Sequence, residues 1–222
     1  MRGDERMTGW RYGNWLALTL AALIAAPAAH ADAPSYPPLF GTREVRSANL
    51  APFQKWTGMI ARQLDERPLY DGPCTVRRFN RCHLQEWRRL LQELADKDPM
   101  AQLEAVNSFM NQAPYITDPV NYGVPDYWAT PLQFLSKDGD CEDYAIAKFV
   151  SLRQLGFRNA HMRIAVVDDL NLRIAHAILV VYLDGRAYVL DNQISRVIPA
   201  ETINHYRPVF SINEDAWWLH RR

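Results

Sequence analysis

The chain has 222 residues, 48% of them hydrophobic and 23% charged, which suits one globular domain and excludes a disordered chain. Its 25 basic and 25 acidic residues balance, and there is no basic stripe of the kind nucleic-acid binders carry. The sequence holds no fixed internal repeat, so a solenoid is excluded as well.

Residues 1–31 read as a signal peptide. Arg2, Arg6 and Arg11 give a mildly positive start, diluted by Asp4 and Glu5, and the apolar run Trp15 to Ala26 leads to the small-x-small pattern Ala29-His30-Ala31. That run is about a dozen residues, short of the ~20 a membrane-spanning helix needs, so cleavage and export are expected rather than a retained anchor. Cleavage removes three arginines and two acids, leaving 22 basic against 23 acidic residues in 32–222. In an oxidising compartment Cys74 and Cys82 are close enough in sequence for a disulfide, which leaves Cys141 as an unpaired thiol. On count alone, Cys141 reads as a buried small hydrophobe.

After a Pro-rich extended stretch (Asp32 to Pro38), helical spacing places Trp56, Met59, Ile60 and Leu64 on one face of a helix from Phe53 to Leu64, stopped near Pro68. A second helix is predicted from Leu84 to about Asp96, with Trp87, Leu90, Leu91 and Leu94 as its apolar stripe, and a third from Met100 to Gln112. Ala113 to Gly139, with Pro114, Pro119, Pro125 and Pro131, reads as a long irregular stretch, a length that is often functional. The run DCEDYAIAKFVSLRQLG is the clearest helix, with Gly156 as its C-terminal stop. Strand-like runs follow at Met162 to Val167, Ile174 to Leu183 and Ala187 to Leu190, the last two joined by the hairpin dipeptide Asp184-Gly185. The tail from Ile203, with Trp217 and Trp218, is expected to pack on the core. The order predicts an α+β domain over 32–222, helical at about 50–156, with an antiparallel sheet at about 160–222.

Thiol chemistry needs a thiolate, a base that makes it and a group that holds the base. Cys141 opens the predicted helix, where exposed N–H groups and the helix dipole lower a thiol's pKa. The adjacent Asp140, Glu142 and Asp143 oppose this, so a histidine or a cation must offset them. With Asp184-Gly185 as the turn, Leu183 faces Arg186 and Ile178 faces Asp191, which puts His176 and Asp191 on one face as diagonal neighbours. A two- or four-residue loop preserves that result; a three-residue loop breaks it. Alone, His176 reads as a satisfied core histidine. Joined to an unpaired helix-start cysteine and a same-face aspartate, it reads as a general base, with Cys141 as nucleophile and Asp191 fixing the imidazole tautomer. Expected oxyanion donors are the Cys141 backbone N–H and a group from the Trp128–Gln133 loop; Gln133 precedes the nucleophile, though a loop glutamine is more often simply solvated.

The run Gly139 to Phe149 (GDCEDYAIAKF), His176 in AHAILVVY and Asp191 in VLDNQ resemble the bacterial transglutaminase-like cysteine proteinases. So do LFGTREVR (Leu39 to Arg46), PFQKWTGM (Pro52 to Met59) and PDYWATPLQFL (Pro125 to Leu135), so the resemblance covers most of the chain after the leader. The triad order alone also fits transglutaminases and arylamine acetyltransferases. The resemblance implies a papain/transglutaminase-like fold and a periplasmic cysteine protease that cuts the N-terminal region of a large repeat adhesin, promoting biofilm dispersal. It further implies inhibition by an inner-membrane cyclic-di-GMP receptor, and dependence on Ca²⁺ held by Asp140, Glu142 and Asp143; hard carboxylate oxygens suit that ion. Asp143 stands where an EF-hand needs glycine, so an EF-hand is excluded. Trp128 is expected either to dock the receptor or substrate or to sit in the core. Two other readings stand beside the protease: another acyl-transfer enzyme, a transglutaminase or amidase, on the same triad, and a non-catalytic receptor-binding module.

Overall fold

The computed structural model describes residues 36–71 and 81–221; the expected signal peptide and the Cys74–Cys82 pairing fall outside that description. A short strand, β1 (Arg43–Ser47), comes first, followed by α1 (Gln54–Glu66), α2 (Arg81–Leu94) and α3 (Pro99–Met110). The one-turn α4 (Asp118–Asn121), α5 (Pro131–Lys137) and α6 (Cys141–Gln154) complete the helical part. The sheet then takes β2 (Met162–Asp169), β3 (Ile174–Leu183), β4 (Arg186–Leu190), β5 (Ile198–Pro199), β6 (Tyr206–Ile212) and β7 (Trp217–Arg221).

Everything is arranged around α6. Its residues Asp143 to Leu152 are all buried, and a helix that is covered on every side has to be apolar almost all round. Ile146, Phe149 and Val150 share a core with Ile164, Leu179 and Val181 of the sheet and with Trp56 and Met59 of α1. Tyr144 and Ala147 share another with Leu84 and Trp87 of α2 and Phe134 and Leu135 of α5. The large aromatics keep their polar ends bonded, as burial requires: Trp87 Nε1 donates to Ser151 Oγ at 2.8 Å and Trp56 Nε1 to the Asn213 carbonyl at 3.0 Å. The helix stops where the sequence predicts, with Gly156 at φ +96° and the Phe157 N–H returning to the Leu152 carbonyl at 3.0 Å.

The sheet has seven strands in the order β1-β7-β6-β2-β3-β4-β5, each pair antiparallel. Its face away from α6 buries Ala165, Val167, Ile178, Val180 and Val189 under Leu39, Ala200 and Ile203. Asp184 and Gly185 turn with φ of +50° and +77°, and β3 pairs with β4 from Leu183↔Arg186 through Leu179↔Leu190, in the register read from the hairpin dipeptide.

Two parts depart from the sequence reading. β1 was not expected to be a strand. It is an edge strand rich in charge, held by the inward Glu44, which pairs with Arg163 at 2.7 Å while the guanidinium lies 3.8 Å over the Trp218 ring. The stretch 113–139 is also more ordered than its prolines imply. Pro131 sits in the first turn of α5, where its missing N–H costs nothing, behind a Thr130/Gln133 capping box. Among the described residues no helix is long and apolar enough to cross a membrane.

Candidate active site and acidic cluster

Cys141 is the first residue of α6 and is partly exposed. Its thiol donates to Glu142 Oε2 at 3.2 Å and lies against the backbone N–H of Ala177, the residue after His176 on β3. Burial, then the neighbouring Glu142 carboxyl, push the thiol well above its ordinary pKa, and the Ala177 N–H opposes them.

His176 and Asp191 meet across the β3–β4 hairpin. His176 Nε2 lies 2.9 Å from Asp191 Oδ1, and both side chains are buried. With a carboxylate on Nε2, that nitrogen carries the proton, so Nδ1 keeps its lone pair and accepts the Gln193 amide at 3.4 Å. Asp191 is held from several sides. Its Oδ1 also accepts the Gln193 backbone N–H at 2.9 Å, its Oδ2 accepts the Tyr206 hydroxyl at 2.7 Å, and its carbonyl accepts Asn111 Nδ2 at 2.8 Å. Desolvation raises the pKa of this carboxyl, but the His176 contact and the other donors outweigh it and leave the pKa below its ordinary value.

Beside the thiol lies a cluster of carboxylates. Oxygens of Asp118, Asp140 and Asp143 lie within 4.8 Å of one another, as do oxygens of Asp118, Asp126 and Glu142. Asp140 Oδ2 accepts the Asp118 N–H at 3.2 Å, and Asp143 Oδ1 accepts the Ala129 N–H at 2.7 Å. Asp118 Oδ1 and Asp140 Oδ1 are buried without a hydrogen-bond partner among the described residues. Desolvation first, then mutual repulsion, raises Asp118, Asp140 and Asp143, and carries Glu142 up to about 9. Orphaned hard oxygens crowded together fit a divalent cation that takes many oxygen ligands. The donors come from separate segments, 118, 126 and 140–143, unlike the contiguous loop of an EF-hand. The sequence reading pointed to Asp140, Glu142 and Asp143; it missed Asp118 and Asp126, and the only signal for Asp118 was the Asp-Pro pair opening α4.

One expectation needs correction, and one pair of alternatives is narrowed. Gln133 is not available as an oxyanion donor: its carbonyl accepts the Thr130 N–H at 3.0 Å as part of the helix cap, and its amide donates to the Tyr127 hydroxyl at 3.1 Å. The other expected donor, the Cys141 N–H, faces the Tyr115 hydroxyl. Trp128 is a core residue, 8% exposed, with its ring edge-on to Trp56 at 6.2 Å, so it is not an exposed docking anchor. Its carbonyl accepts Arg62 at 2.6 Å, which fixes the strand of chain that brings Ala129 to Asp143.

A buried central helix opening on a cysteine, packed on an antiparallel sheet that carries a bonded His–Asp pair, is the architecture of the transglutaminase-like cysteine enzymes. Residues 70–220 match the model of the bacterial transglutaminase-like cysteine proteinases, and the chain belongs to that family. Calcium-bound LapG from Legionella pneumophila is similar in structure: 32% identical, with a TM-score of 0.62, covering 71% of this chain and 87% of that one. The EGTA-treated form of the same protein gives 32% identity and a TM-score of 0.62 over 72% of this chain and 86% of that one. No curated protein matches the sequence.

Proposed function

We propose that this chain is a calcium-dependent periplasmic cysteine endopeptidase that cuts the N-terminal region of a large repeat adhesin and so releases it from the cell surface. The observation that carries the reading is the Cys141 thiol at the N-terminus of α6, against the N–H of Ala177, whose sequence neighbour His176 is bound to Asp191 through Nε2.

The chemistry follows from those atoms. Once the thiol turns from Glu142 and displaces the Gln193 amide from His176 Nδ1, that nitrogen takes the proton from Cys141, and the sulfur adds to the scissile carbonyl carbon, moving the π pair onto oxygen. The Cys141 N–H stabilises that oxyanion once the carbonyl oxygen takes the place facing Tyr115. Collapse re-forms the carbonyl and breaks the C–N bond as His176 gives its proton to the departing amine. Water, deprotonated by His176, then hydrolyses the thioester and returns the thiol. Asp191 keeps Nε2 protonated throughout and balances the imidazolium charge.

Asp118, Asp140, Glu142 and Asp143 are the residues that would hold calcium, with Asp126 at the rim. Bound there, calcium supplies the positive charge that cancels the carboxylate repulsion on a forming thiolate. The calcium-bound form of Legionella LapG supports the choice of ion. An inner-membrane cyclic-di-GMP receptor as inhibitor, and biofilm dispersal as the outcome, belong to the same reading through the family.

The test is cleavage of a purified N-terminal adhesin fragment by residues 32–222. The wild type should cut it, Cys141→Ala should leave it whole, and EGTA should stop the wild type. Cutting by Cys141→Ala would falsify the cysteine mechanism; cutting in EGTA removes calcium from it.

A further inference from the structure

The sheet is open beside the active site. β2 pairs with β3 from Ile174 to Val181, whereas β4 reaches back only as far as Leu179↔Leu190. Beyond Leu190 the chain leaves the sheet for α3 and its C-cap: Asn111 donates to the Asp191 carbonyl, and Asn107 to those of Ile194 and Ser195. From Ile174 to Ile178, β3 therefore has a neighbouring strand on one side only. A two-residue turn closes on the hydrogen-bonded pair Leu183↔Arg186, so the odd-numbered residues of β3 point their N–H and C=O toward β4 and, past its end, into the open edge. Ala177 thus turns its N–H to the thiol of Cys141. Ala175, exposed and next to His176 in the chain, turns both of its backbone groups outward.

This edge lacks the usual protection. Exposed strand edges are commonly blunted by charge, as β1 is by Arg43, Glu44 and Arg46. Residues Leu170 to Ala175 are all exposed, and Arg173 is the only charge among them. Leu170, Leu172 and Ile174 are 47%, 56% and 51% exposed, apolar surface gathered where β3 begins.

We propose that the first residues of β3 bind the polypeptide substrate in extended form as an added strand, with Ala175 pairing its main chain and Ile174 contacting an apolar side chain. This deepens the protease reading above and rests on it. Main-chain pairing holds a chain whatever its sequence, and contacts to alternate side chains add preference. A strand paired at Ala175 runs on, two residues further, to the level of Ala177, where the thiol lies, so pairing there delivers a backbone carbonyl to Cys141. The side chain of Ile174 stands on the opposite face of the sheet from that of Ala175, beside the substrate residue next to the paired one.

The experiment first locates by mass the bond that residues 32–222 cut in the adhesin fragment with calcium present, and takes the shortest synthetic peptide around it that is still cut. Its backbone amides are then N-methylated one at a time, the scissile amide excepted. Each methyl group removes one donor, and every second amide of an extended strand faces the same way. We expect kcat/KM to fall at least about tenfold at alternate positions on one side of the scissile bond, and less than about threefold at the positions between. A loss of equal size along the whole peptide, or no loss, overturns the assignment. Ile174→Ser, at an exposed site, should keep the wild-type melting temperature and the wild-type rate of Cys141 alkylation by iodoacetamide. Its KM should rise about threefold or more with kcat within about twofold. An unchanged KM removes Ile174 from the contact. The methylation scan uses wild-type protein, so it decides the added strand even if the variant fails to fold. If wild type leaves the adhesin fragment whole, it is the protease reading that fails, and the added strand fails with it.

Discussion

Asp118 carries two jobs at once: its backbone N–H is bonded to Asp140, and its own carboxyl keeps one oxygen buried and unpartnered. Asp118→Asn removes the charge and keeps the shape, so the fold should stand while calcium affinity falls on the order of tenfold or more, read by titration calorimetry. An affinity equal to wild type would remove Asp118 from the ligand set. Tyr206→Phe makes a similarly small change at the other end of the site, deleting the hydroxyl that Asp191 Oδ2 accepts. It should cost about 1 kcal/mol of stability and lower kcat with KM unchanged; a rise in KM alone contradicts the orienting role. Asp140, Glu142 and Asp143 were legible because they adjoin the cysteine in sequence. Asp118 and Tyr206 were not, because only the folded chain brings them to Asp140 and Asp191.

Elements were legible in proportion to how far local chemistry fixes them. The β3–β4 hairpin could be read to the residue, since a two-residue Asp-Gly turn sets the register and the register sets the His176–Asp191 diagonal. α5 was hidden by its own start signal, a proline read as a loop marker. β1 was hidden because its inward residue is Glu44, whose burial makes sense only with Arg163 opposite. The turn into α6 depends on Gly139. A Cβ built there meets Asp143 Oδ2 at 2.2 Å and its Cβ at 2.7 Å, so the carboxyl that caps α6 and faces the acidic cluster would be displaced. Gly139→Ala should therefore lose calcium binding and cleavage together while far-UV circular dichroism stays close to wild type. Calcium binding at wild-type affinity in that variant would rule out the tight turn as the reason for glycine.

For the molecule as a whole, the raised carboxyls give a pH dependence of a definite sign. In the folded, calcium-free protein Asp118, Asp140, Asp143 and Glu142 (at about 9) hold protons that the unfolded chain releases near pH 4. Their contribution to stability is complete below that pH and drains away as pH rises through the folded values. Asp191, with its lowered pKa, gives up its contribution only under more acidic conditions. Melting temperature in EGTA should thus fall between about pH 5 and 7, and saturating calcium should abolish the fall, adding about 2.7 kcal/mol at a hundredfold excess over Kd. A flat or rising profile in EGTA would show that the cluster is not strained in the absence of metal.

The pairing of β1 with β7 governs how this fold can be reached. Thr42 Oγ1 meets His220 Nδ1 at 2.9 Å across 178 residues of sequence, and Arg43 is paired with Arg221. Contacts of such separation are made only after a long stretch of chain has been ordered, and proteins rich in them fold slowly. The first strand has to wait, unpaired, until the last one is in place, so this edge of the sheet is among the late parts of the fold to form.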